Sequence, residues 1–311
     1  MRLVVALGGN ALLRRGERPD ATIQSYHVEE AAISLGRLRS GNQLVVTHGN
    51  GPQVGLLALE SQEDASLSSP YPLDVLGAQT QGMIGYWISN DLDSAPVNSS
   101  ACTLITRVVV DPHDAAFGNP TKFVGKTYDA REAADLASQF GWIVKQDGGA
   151  WRRVVASPQP LRIVELPVIE GLLAMGLTVI CAGGGGVPVM EVPQGGYVGV
   201  EAVIDKDLTS AKLAISLDAD ALMILTDVDA IYRDFGADRA SAYRTLSLAQ
   251  LGEMDFAAGS MGPKVRAAEE FVRHTGRRAV IGSLSDADAL LSGEKGTMIV
   301  PDEEGSLGAP H

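Results

Sequence analysis

Short strand-like runs of apolar and β-branched residues recur at 2–7, 43–47, 101–110, 177–182, 221–226, 278–281 and 296–300. Most lack a regular polar alternation, which predicts strands covered on both faces rather than strands with one wet side. Between most of them the apolar positions switch to helical spacing. Val28, Ala31, Ala32, Leu35 and Leu38 form one stripe of a helix predicted over 23–38, ending before Gly41. Similar stripes predict helices over 73–92, 161–175, 207–217 and 263–274, the last with Pro263 at its first helical position. Strand, turn and helix in alternation predict an α/β fold: a largely parallel sheet with helices on both faces and ligands at the carboxyl ends of the strands.

Residues 111–160 break this rhythm. They hold DPHDAAFGNPTKFVGKTY, a short helical patch, and GWIVKQDGGAWRRVV, a predicted hairpin with Asp147, Gly148 and Gly149 at its turn. This section is expected to be a small inserted lid subdomain, hinged near Pro112, Pro158 and Pro160. The tail DEEGSLGAPH reads as a solvated end.

A chain of 311 residues can bury one large α/β core or two smaller ones, and 45% hydrophobic with 20% charged residues is an ordinary globular composition. No apolar stretch reaches the ~20 residues that span a bilayer, so a cytoplasmic protein is expected. Cys102 and Cys181 lie in apolar, strand-like surroundings without metal-ligand spacing and read as reduced core residues. A net charge of −13 argues against nucleic acid or a membrane surface as partner. A small anion would then need donors placed locally.

Three strand ends supply such donors. Gly8, Gly9 and Asn10 follow the first run, Gly49, Asn50 and Gly51 the second, and Gly183 to Gly186 the run LTVICA. Bare backbone lets amides converge on an anion, and three such turns favour a phosphate site over three tight connections. The dinucleotide fingerprint fails because GGGGVP puts Pro188 where glycine or alanine is required, and the Walker loop fails because Pro120 stands in place of its first glycine. Any phosphate site is therefore of another design.

Of 25 basic residues only seven are lysines. Lys206 stands between Asp205 and Asp207 where a helix begins, and Lys264 follows a glycine turn in the first turn of its helix. Cations at helix N-termini oppose the dipole, so an anion shared between lysine and helix end is one reading; a surface lysine paired with neighbouring acids is the other. Asp207 reads as a helix cap or as the carboxylate that holds the lysine ammonium groups. In TDVDAIY, Tyr232 is available to an adenine, and Asp227 and Asp229 to ribose or structure. His48 has no nucleophile or orienting acid near it in sequence and is expected to be a hydrogen-bonding loop residue.

Taken together, ALGGNALL, THGNGPQVG, NPTK, VVASPQP, CAGGGGVPV, EAVIDKDLTSA, LTDVDAIY and GSMGPK resemble the carbamate kinases of the amino acid kinase superfamily, in family order from residue 6 to residue 264. The resemblance implies a three-layer αβα sandwich, usually a homodimer, that transfers phosphoryl between ATP and carbamate with Mg2+ and commonly runs from carbamoyl phosphate and ADP toward ATP. Gly8, Gly9, Asn10, Gly49, Asn50 and Gly51 would cradle the carbamate or the transferred phosphoryl. Lys206 and Lys264 would neutralise phosphoryl charge, Asp207 would orient both lysines, and Lys122 on the lid would close over the carbamoyl end. Asp227, Tyr232 and Met261 would line the nucleotide; no direct metal ligand is assigned. Relatives of the superfamily acting on acetylglutamate, aspartate or nucleoside monophosphates usually carry lysine where this chain has Ala6, a charge that Lys206 would replace. The lid departs from the resembling pattern NPTKPIGP, with Phe123 and Lys126 in place of two prolines. Two rival expectations are a kinase of the same superfamily with another small acceptor, and a non-catalytic sensor of carbamoyl phosphate or ATP.

Overall fold

The computed structural model describes residues 1–14, 16–94, 100–233, 240–256 and 261–302. Gly259 and Ser260 of GSMGPK, the side chain of Asn10 and the tail beyond Asp302 lie outside the described residues. The first apolar run forms β1 (Arg2–Leu7), and α1 (Ala21–Arg39) leads to β2 (Gln43–His48), which pairs parallel to β1 with Leu3 beside Leu44. From β2 the chain enters α2 (Gly51–Glu63) and then α3 (Leu73–Ser94).

The main sheet has eight strands in the order Thr245–Ser247, Thr297–Val300, Ala279–Ser283, Ala221–Thr226, β1, β2, Thr178–Ile180, Ala101–Thr103. The first two run opposite to the other six, which are mutually parallel. Because side chains alternate along a strand, the unbroken apolar runs feed two cores. Val4, Ala6, Val45, Leu222 and Ile224 face one core with the Lys206–Ser216 and Met261–Thr275 helices; Leu3, Val5, Leu7, Leu44 and Val46 face the other with α1 and α3. Phe271, Leu35 and Ile84 in these helices are wholly shielded from water, each worth roughly 1.5–3 kcal/mol of burial. Helices on both faces of a mainly parallel sheet are the αβα arrangement the pattern predicted. Cys181 is buried and Cys102 half-buried, and both are free thiols.

The structure corrects several boundaries. The run 101–110 is two strands: Ala101–Thr103 ends the main sheet, and Arg107–Val109 joins a second sheet with Val187–Glu191, Tyr197–Gly199 and Arg162–Ile163. An apolar run carries no mark of the bend between them. The helix predicted over 161–175 starts only at Leu166, after the Arg162–Ile163 strand. Pro263 is the third residue of the Met261–Thr275 helix rather than its first.

Between the antiparallel neighbours Arg107–Val109 and Arg162–Ile163 the chain makes its excursion. A three-stranded sheet, Lys122–Tyr128, Ala150–Val155 and Ile143–Asp147, contains the expected hairpin, with Asp147 paired to Ala150 across a Gly148–Gly149 loop. The register of Lys122–Tyr128 shifts between Val124 and Thr127, where Gly125 adopts φ 76°. That bend lets the strand approach α2: a Cβ on Gly55 would lie 3.4 Å from Gly125 Cα. Val124 and Val155 share a small core with Val54, Leu73 and Leu76. Among the described residues no helix is long and apolar enough to cross a membrane.

Candidate active site

The carboxyl ends of β1, β2 and Thr178–Ile180 bring the three glycine turns together. Gly8 N–H donates to Leu225 O at 2.8 Å and Gly49 N–H to Leu7 O at 3.0 Å. These two amides are spent on the sheet, which corrects the expectation that they converge on an anion. What Gly49 supplies is proximity, since a Cβ there would sit 2.9 Å from Gly9 N. The donors left are the first amides of the Gly9–Ala11 turn and of α2, Gly9 and Gly51 among them, which helical geometry leaves without intrahelical partners. Asn50 caps α2 through its backbone, and its Nδ2 donates to Thr80 Oγ1 at 2.8 Å.

The third turn leads into a strand of the second sheet, not into a helix. Gly184, Gly185 and Gly186 have φ of 66°, 94° and 86°, and a Cβ on Gly184 would overlap the Asn50 side chain at 2.2 Å. Gly185 packs on Ile204 O and accepts the Thr209 hydroxyl at 2.9 Å, tying the turn to the helix that carries Lys206.

Asp205, not Asp207, is the cap of the Lys206–Ser216 helix: its Oδ1 accepts Asp207 N–H at 2.9 Å and its Oδ2 accepts Lys122 Nζ at 2.8 Å. Asp207 lies in the first turn and accepts Lys206 Nζ on Oδ1 and Lys264 Nζ at 3.1 Å on Oδ2. Lys122, Asp205, Lys206, Asp207 and Lys264 thus alternate in sign, three cations against two anions. The Asp207 side chain is only 4% exposed and those of Lys206 and Lys264 are 12% and 16% exposed. Burial pulls the Lys206 ammonium below the usual lysine range, and Lys264 adds to the effect against the pull of Asp207. Burial also opposes charge on Asp207, but the two ammonium groups outweigh it and hold its carboxyl below the ordinary range. Lys122, with 37% of its side chain exposed, gives this cluster one excess positive charge on its open side, which an arriving anion would relieve.

His48 is buried beneath this cluster. Its Nδ1 lies 3.0 Å from Gly49 O, a carbonyl that accepts, so Nδ1 carries the proton. Burial, with a contribution from Lys206, pushes its pKa down to about 4, so the ring stays neutral near pH 7.

A cavity of about 550 Å³ opens over the turns, and Gly9, Gly49, Asn50, Gly51, Gly184 and Lys206 form its floor. The three-stranded sheet supplies the opposite wall, including Lys122, Lys126 and Arg152. Gly8, Asp207 and Lys264 stand behind this lining. Sequence reasoning had not singled out Asp205, Lys126 or Arg152 for the site. The hairpin sets Arg152 opposite Lys145, and only its pairing with the Lys122–Tyr128 strand, opposite Thr127, brings it to the cavity wall.

Asp227, Tyr232 and Met261 lie outside the cavity wall, at the carboxyl end of Ala221–Thr226 and the start of the Met261–Thr275 helix. Thr226 flanks the first glycine turn, with its Cα 3.6 Å from where a Gly8 Cβ would be, and its hydroxyl donates to Asp227. Tyr232 OH donates to Asp229 at 2.9 Å, which raises its pKa.

Residues 1–283 match the family model described as the amino acid kinase family. The chain is 51% identical to a carbamate kinase of Rhizobium meliloti (strain 1021), over 96% of its own length and 93% of the relative's. It is 48% identical to a carbamate kinase of Escherichia coli (strain K12), over 96% and 98%. It also superposes on a solved carbamate kinase from Giardia lamblia bound to AMP-PNP with a TM-score of 0.88, at 43% identity, covering 97% of this chain and 98% of the other.

Proposed function

The chain belongs to the amino acid kinase family, and we propose that within it the chain works as a carbamate kinase, moving phosphoryl reversibly between ATP and carbamate and running toward ATP from carbamoyl phosphate and ADP. The observation that carries this reading is the meeting of Lys206 and Lys264 on buried Asp207 beside the glycine turns.

In the ATP-forming direction a terminal oxygen of ADP attacks phosphorus, the bond from phosphorus to the carbamoyl oxygen breaks, and carbamate leaves with the electron pair. In reverse, carbamate already presents a nucleophilic oxygen and needs no general base, which suits a site whose buried imidazole, His48, is too weak a base at a pKa of about 4 to take a proton near pH 7. The protein's task is alignment and stabilisation of charge spreading over the phosphoryl oxygens. Lys206 and Lys264 supply that charge and Asp207 fixes where it sits. The amides of Gly9 and Gly51 and the side chain of Asn50 cradle the small acceptor, with Gly8 and Gly49 setting the approach. The sheet at 122–155, the heart of a lid over 111–160, carries Lys122 from Asp205 to the carbamoyl end when substrate enters. Asp227, Tyr232 and Met261 receive the nucleotide.

Magnesium fits as a passenger of the nucleotide. Asp205 and Asp207 are occupied by lysines, and the described residues hold no group of three His, Cys, Asp or Glu side chains, a donor set suited to an ion held by phosphates and water. When bound, Mg2+ supplies charge neutralisation on the phosphate oxygens. A cytoplasmic homodimer without nucleic-acid or membrane partners completes the reading.

The test is a coupled assay of ATP formation from ADP, Mg2+ and carbamoyl phosphate, wild type beside Lys206→Ala. Turnover in the wild type and a loss of at least about a hundredfold in the folded variant are expected, as for removal of a charge-stabilising donor. A folded, ADP-binding wild type without turnover would overturn the assignment.

A further inference from the structure

The two residues that stand in place of prolines of the resembling pattern, Phe123 and Lys126, lie on the same wall of the active cavity. Arg152 stands with them. Its guanidinium is 5.9 Å from the centre of the Phe123 ring, its Nε donates to Gly125 O at 2.8 Å and its Nη1 to Asp147 at 3.1 Å. Three restraints therefore hold one cation in the wall. Lys126, at the bend beside Gly125, lies 5.2 Å over the Tyr128 ring and 3.6 Å from Glu132.

The cavity's charge is one-sided. Among the described residues that line it are four cations, Lys122, Lys126, Arg152 and Lys206, and no carboxylate. In a chain of net charge −13 such a surface is an exception. The acids that balance it, Asp147, Glu132, Asp205 and Asp207, pair with these cations from outside the lining. At about 550 Å³ the cavity is also several times larger than a molecule the size of carbamoyl phosphate, so the transfer site occupies only part of it.

We propose that Lys126 and Arg152, the latter seated on Phe123, form an outer oxyanion subsite that captures the phosphate dianion of carbamoyl phosphate before it reaches Lys206. This rests on the carbamate kinase reading and extends it: the subsite sets affinity and capture rate, while Lys206 and Lys264 set the chemical step. Charges at such a rim act on association and its salt dependence more than on the bound state.

Steady-state ATP formation at several ionic strengths tests this for wild type, Lys126→Gln, Lys126→Arg and Arg152→Gln, with circular dichroism to establish folding. Each Gln variant is expected to raise KM for carbamoyl phosphate about five- to tenfold, with kcat within about twofold and KM for ADP unchanged. Its kcat/KM should fall less steeply with salt than the wild type's, and Lys126→Arg should restore wild-type values. A structural defect would move kcat and both KM values without altering the salt slope. An unchanged KM in Lys126→Gln, or a loss confined to kcat, overturns the subsite while leaving the carbamate kinase reading intact. If the wild type makes no ATP, that reading falls and calorimetric binding of inorganic phosphate decides the subsite. Weaker binding in Lys126→Gln supports it, and equal binding overturns it.

Discussion

Two ammonium groups held near one another in a buried place need a carboxylate between them, and Asp207 occupies that place with both oxygens engaged. Asp207→Asn keeps the shape and removes the charge, leaving two cations uncompensated. It should destabilise the protein by about 3–5 kcal/mol in urea melts as well as depress turnover. His48 makes a prediction of opposite chemistry. Its folded pKa is about 4 against 6.5 for the free group, so the unfolded chain binds the proton that the folded one refuses. The His48 contribution is complete above about pH 6.5 and lost as pH falls toward 4, at most roughly 3 kcal/mol. Urea midpoints at pH 7 and pH 4.5 check it; in His48→Gln the difference between them should shrink. Sequence spacing placed Lys206 and Lys264 at helix starts but could not show that Lys264 shares with Lys206 a carboxylate 57 residues before it. Only the resemblance implied that. Asp205 escaped notice because a helix cap and a lysine partner look alike in one dimension; the structure gives it both duties.

Among the elements, the turn at 183–186 is crowded at every residue, each glycine having a neighbour within 2.3 Å of where a Cβ would stand. An alanine at 185 would have φ of 94° and a methyl group 2.3 Å from Ile204 O, a backbone atom that cannot yield alone. Gly185→Ala should therefore cost about 2–4 kcal/mol in chemical denaturation, and should lower turnover too, because Ile204 precedes Lys206 by two residues. Strands buried on both faces were readable from their unbroken apolar runs, and α1 and α3 from their stripes. What was lost had physical causes. α2 opens with Gly51 and Pro52 and carries Gly55 within, so its propensity is poor, and its stability comes from packing against α3 and the Lys122–Tyr128 strand. The second sheet joins residues 107–109 to 162–163 and 187–191, pairings made by tertiary contact rather than by any local signal.

On the scale of the whole molecule, the outer sheet meets the body through the Val54, Val124 and Val155 core, the Lys122–Asp205 pair and the Arg153–Glu201 pair. If this sheet closes over substrate, amide hydrogen exchange across Lys122–Tyr128 should slow several-fold on adding ADP with carbamoyl phosphate; an unchanged rate would argue for a fixed wall. The two ends of the excursion leave from adjacent antiparallel strands, with Leu161 N–H bonded to Val109 O at 2.9 Å. Its length is thereby decoupled from the register of everything beneath it. Residues can be gained or lost between 111 and 160 without shifting a single pairing of the main sheet, so the same floor of glycine turns is free to acquire differently sized roofs over evolutionary time. The toll falls on one apolar seam, where Val54, Leu73 and Leu76 would need a new cover.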